Sequence, residues 1–80
     1  MDIEVKGTKY EIVMCSDLER DGMYLEASTP NTNPLQQVAE VFYSDQSHEF
    51  TVSCFLENVP LELIEILISK AKERLPITNE

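Results

Sequence analysis

The chain has 80 residues, of which 42% are apolar, and fifteen Asp and Glu against six Lys and Arg give it a formal charge of −9. That length makes one small domain, which buries roughly 60–65% of its unfolded surface and so holds a single core with a thin margin. The acidic excess is spread along the chain; such a surface argues against a nucleic-acid partner and attracts basic proteins.

The N-terminus reads as a hairpin. Ile3 and Val5 alternate with acids and Lys6, and Tyr10, Ile12 and Met14 follow with period two. Gly7-Thr8 between them suits a type II′ turn, which pairs Val5 with Tyr10 and Ile3 with Ile12. Residues 16–22 are a polar turn holding Asp17, Glu19, Arg20 and Asp21. A third strand then alternates Met23, Leu25 and Ala27 with Tyr24 and Glu26, and Met14 opposite Met23 keeps one face apolar. Residues 28–34, with two Pro and two Asn, form a loop. A fourth strand and a fifth close around Asp45-Gln46, pairing Val41 with Phe50 and Ala39 with Val52. An alternative phase for strand four, with Val38 and Phe42 inward, stays open.

Asn58 is the expected N-cap of a helix, with Pro60 in its first turn. Leu61, Ile64, Leu67, Ile68, Ala71 and Leu75 make an i, i+3, i+4, i+7 stripe, and Pro76 ends the helix. Ile66 falls nearly opposite that stripe, and Leu63 falls on its edge. Glu62 and Glu65 near the helix start and Lys70, Lys72 and Arg74 near its end complement the macrodipole. The predicted strands are residues 2–6, 9–15, 23–28, 37–43 and 48–56, with a helix at 59–75. The expected architecture is α+β: an antiparallel meander of five strands with one C-terminal helix packed on one face, in one domain over 1–80.

No apolar run approaches the ~20 residues that span a bilayer, and the stretch 64–68 is broken by Glu65. Met1 leads into Asp2 and Glu4, unlike the basic start and apolar run of a secretory signal. The expectation is a cytoplasmic protein with two free thiols, no membrane and no cofactor.

The chemistry-bearing residues form no recognisable motif. His48 stands alone, and Cys15 and Cys54 fall on opposite strand phases, which argues against a metal site and a disulfide. Cys54 shares the core phase and is expected inside, with Cys15 outside. Ser44, Asp45, Ser47 and His48 carry triad residue types, yet within one tight turn they read as turn formers. Glu4 is expected to face Glu11 across the first hairpin, an arrangement that raises one carboxyl pKa.

The outer sheet face is the most informative surface. Glu4, Glu11, Glu26, Glu40 and Glu49 share its phase with Val13, Tyr24, Val38, Phe42, Thr51 and Phe55, and rings inside a border of acids resemble an interface. The expected function is that of a non-enzymatic protein-binding domain in an inhibitor, immunity-type or adaptor role. Its partner is a basic protein or a second copy; Tyr24 and Phe42 would anchor it, and Glu26, Glu40 and Glu49 would steer it. The alternative is a small enzyme or ligand-binding domain whose site forms at an oligomer interface, using Glu4, Glu11 or His48.

Overall fold

The computed structural model describes residues 1–30 and 36–75. Its elements are β1 (Asp2–Val5), β2 (Thr8–Asp17), β3 (Gly22–Thr29), β4 (Gln36–Ser44), β5 (Phe50–Cys54) and α1 (Leu61–Arg74). The strands form one antiparallel sheet in the order β1-β2-β3-β4-β5, a meander with α1 packed on β3 and β4. This is the α+β arrangement expected. Most of the loop predicted at 28–34 and the helix stop at Pro76 lie outside the described residues, but Ser28 and Thr29 belong to β3.

Every predicted hairpin register is displaced by two residues. The first turn is Lys6-Gly7, with φ of 50° and 85°, so Val5 faces Thr8 and Ile3 faces Tyr10. Two consecutive residues at positive φ are the type I′ geometry, whose twist matches that of the strands. Likewise Ile12 faces Ala27, Met14 faces Leu25 and Val41 faces Val52. Because side chains alternate with period two, each displacement leaves the inner face unchanged.

Inner-face residues Val5, Tyr10, Ile12, Leu25, Ala27, Ala39 and Val41 join Leu63, Leu67, Ala71 and Leu75 in the core. The β3–β4 register shifts between Ala27 and Ser28, leaving Val38 without an opposing residue. That bulge settles the phase of strand four: Val38, Ala39 and Val41 all enter the core, while Phe42 stays on the outer face. Val38, expected outside, is therefore inside.

The helix is rotated from the predicted orientation. Leu63 and Leu67 are fully buried, Ile64, Ile66 and Ile68 pack half-buried around them, and Leu61 is 72% exposed. The N-cap is Pro60, whose carbonyl accepts the N–H groups of Leu63 and Ile64. Asn58 sits two residues earlier at φ 58°, a left-handed turn position and not a cap. Glu62 lies in the first turn and Lys72 and Arg74 in the last, as the macrodipole favours. No helix among the described residues is long and apolar enough to cross a membrane.

Candidate functional site

The register arranges the outer face into rows running across the strands. Glu11 stands opposite Asp2 and Ser28; Val13 lines up with Glu26, Glu40 and Ser53; Cys15 lines up with Tyr24, Phe42 and Thr51. Asp17, Gly22 and Ser44 form the last row. Glu4 faces Lys9 and not Glu11, so the expected facing pair of Glu4 and Glu11 does not form. Like charges do face each other twice, in the pairs Asp2–Glu11 and Glu26–Glu40.

The β2–β3 turn folds back over this face. Asp17 Oδ1 accepts the backbone N–H groups of Glu19 and Arg20 at 3.1 and 3.3 Å, an Asx-type turn that fixes the chain direction. Arg20 Nε then donates to Asp17 Oδ2 at 2.6 Å. Its guanidinium carbon lies 4.1 Å from the Phe42 ring centroid and 6.0 Å from that of Tyr24. Nη2 stands 2.9 Å from Glu40 Oε2 without the alignment of a hydrogen bond, so that contact is a charge pair. One cation thus covers Phe42 and neutralises the buried Glu40. Beside it, the Gln37 amide donates to Glu26.

Each residue predicted to carry the interface can now be placed. Tyr24 and Glu26 are half-buried, Glu40 is buried, and Phe42 is 8% exposed beneath Arg20. Glu49 is exposed just before β5, its carbonyl accepting the Ser44 N–H. Four of the five converge around Arg20, with Glu49 opposite Ser44 at the end of the last row. Arg20 itself was invisible to the pattern of the strands. The signal available was Asp17, which shares the outer phase and can turn the next three residues back onto that face.

Electrostatics around the cluster follow from these contacts. The Arg20 hydrogen bond holds the Asp17 carboxyl below its ordinary range, and Asp17 in turn raises the Arg20 pKa. Hydrogen bonding to Cys15, burial, and the negative charge of Cys15, Glu26 and Glu40 raise the Tyr24 phenol. A folded-state pKa depressed at Asp17 contributes stability that is present above its unfolded value and lost as pH falls through the folded one. The Asp17 side chain is 21% exposed and its partner Arg20 44% exposed, so solvent screening keeps that contribution small. In an NMR titration the Asp17 carboxyl will therefore change protonation below the usual carboxylate range, and Arg20→Gln will raise it toward that range, with the backbone N–H groups of Glu19 and residue 20 still lowering it. An unshifted midpoint in the native protein would contradict the pairing.

The other candidate groups remain apart. Cys15 is half-buried on the outer face and Cys54, predicted inside, is exposed on the inner face of the edge strand β5, since α1 packs on β3 and β4; both are free thiols. His48 lies in a turn at φ 61°, its Nδ1 2.9 Å from the Tyr43 hydroxyl. Ser44 Oγ accepts the Gln46 and Ser47 N–H groups, so the Ser44–His48 segment is occupied with holding its own turn. Among the described residues, no three His, Cys, Asp or Glu side chains converge to hold a metal ion.

No protein-family model, curated protein or solved structure matches this chain.

Proposed function

We propose that the chain is a non-enzymatic protein-binding domain that offers its acidic outer face to a basic protein, in the manner of an inhibitor, immunity-type or adaptor domain. The observation that carries this reading is the pairing of like charges. Directly opposed acids on a sheet are destabilising, and this face keeps two such pairs. Glu26–Glu40 is relieved locally by Gln37 and Arg20, whereas Asp2 and Glu11 meet no basic side chain among the described residues. A cationic partner relieves both, and this gives the arrangement a use beyond solubility.

In this reading Glu26 and Glu49 supply the attractive field, Glu40 holds Arg20 in place, and Tyr24 supplies the ring that a partner side chain meets. Phe42 acts from beneath, as the platform on which Arg20 rests. The test is capture from cell extract by the tagged chain, eluted across a salt gradient. The expected result is a basic protein released at moderate salt, because screening weakens exposed charge pairs. Tyr24→Ala will weaken its binding by about tenfold or more, and Glu26→Gln with Glu49→Gln will flatten the salt dependence. Equal capture by these variants and the native chain would overturn the assignment of this face.

A further inference from the structure

We propose that β5 is a homodimer edge, along which two copies join antiparallel about a two-fold axis at Val52 to make one ten-stranded sheet. The direction of the backbone groups is the first support. The Ser44 N–H donates to the Glu49 carbonyl and the Phe55 N–H to the Val38 carbonyl. Antiparallel ladders alternate, so odd-numbered residues of this segment turn their N–H and C=O groups toward β4. Phe50, Val52 and Cys54 consequently direct theirs outward, along the open edge.

A two-fold axis through Val52 satisfies all of these groups at once. Val52 of one copy exchanges both bonds with Val52 of the other, and Phe50 exchanges with Cys54 twice, making six N–H···O bonds. The side chains are self-complementary in the same register. Valine meets valine, Phe50 meets Cys54, and Thr51 meets Ser53, a hydroxyl pair favoured across strands.

Charge selects this edge. Two molecules of −9 repel, and residues 50–56 (FTVSCFL) form a stretch without a charged side chain. The opposite edge is protected. Met1 O accepts the Ile12 N–H, so the outward backbone groups of β1 belong to Asp2 and Glu4. Pairing two β1 edges sets acid against acid, the device by which edges are kept from associating. Among the described residues no such device guards β5, whose Val52 is 44% exposed, with Phe55 and Leu56 also uncovered just past its end.

Sedimentation equilibrium of the full chain over a range of concentrations tests the proposal. The native protein will reach twice the 9.2 kDa chain mass and go no further. Val52→Lys sets like charges on the axis and will weaken dimerisation by roughly 100-fold or more, although it lowers the overall negative charge. Val52→Pro removes an N–H that no bond among the described residues uses and will do the same; should it unfold, Val52→Lys decides. Glu4→Lys, on the far edge, will leave the dimer intact.

Cysteine cross-linking fixes the register. With Cys15→Ser and Cys54→Ser, Val52→Cys will form an intermolecular disulfide, because opposed residues lie about 5.5 Å apart. Native Cys54 will not, since its counterpart lies four residues away, roughly 13 Å along the strand. A native chain that stays monomeric at every concentration would overturn the proposal. So would a dimer that survives Val52→Lys, growth into longer polymers, or an edge that pairs only with a strand of another protein.

Discussion

Gly22→Ala will cost about 3 kcal/mol of folding stability, the largest effect expected from any single methyl group in the chain. A Cβ built on Gly22 meets the Tyr43 carbonyl oxygen at 2.1 Å and the Phe42 ring atoms Cζ and Cε1 at 2.6 and 2.7 Å. Gly22 is paired with Ser44 at the start of β3, so that carbonyl belongs to the neighbouring strand and cannot move without opening the β3–β4 ladder. The ring is equally confined, with Arg20 above it. The reason for glycine here is close approach, unlike Gly7, where the φ of 85° is what matters and a Cβ would meet nothing. Urea unfolding checks the magnitude. A loss below about 1 kcal/mol would mean that the Phe42 ring does not rest on Gly22.

Leu67→Ala will destabilise the domain by about 3 kcal/mol, and Leu61→Ala by no more than about 0.5 kcal/mol. Leu67 is fully buried between α1 and the sheet, whereas Leu61 is 72% exposed at the first turn of the same helix. A domain of this size has roughly 4–12 kcal/mol in total, so the first change removes a large share of it. The comparison reads the rotation of α1 directly. Equal costs at the two sites would return Leu61 to the core and refute the observed orientation.

Those two sites also show where sequence patterns suffice and where they stop. Apart from Val38, which the bulge turns inward, the inner and outer faces of the sheet were legible because every error in hairpin pairing was a displacement by two, and period two is blind to such errors. The turn itself was not. Lys6-Gly7 and Gly7-Thr8 serve equally well by composition, and the choice rests on lysine accepting a positive φ.

Helix orientation failed for a different reason. Leu61, Leu63, Ile64, Ile66, Leu67 and Ile68 surround much of the helix circumference, so a stripe can be drawn through several of them. Only the shape of the sheet surface decides which one packs. Leu63, Leu67 and Ala71 recur at every fourth residue and form the buried line. Leu61 falls off it.

At the candidate site, the phases of Tyr24, Glu26, Glu40 and Phe42 were readable, but their burial was not. Phe42 and Glu40 are covered by Arg20, a residue from a turn whose direction depends on hydrogen bonds from Asp17. Cys54 illustrates the converse. It has the core phase and faces Ala39, yet it is exposed because β5 lies at the edge while α1 packs on β3 and β4.

By itself the sequence determined which residues share a sheet face outside strand four, the order and number of elements, and the excess of negative charge. These are properties of local alternation, turn chemistry and composition, and they need no knowledge of neighbours in space. Tertiary structure alone decided the ladder registers, the bulge that admits Val38 to the core, the rotation of α1, and the placement of Arg20 over Phe42. It also decided which edge strand is left uncharged and open. Each of these depends on contacts between segments distant along the chain, where several local patterns fit equally well and packing selects one.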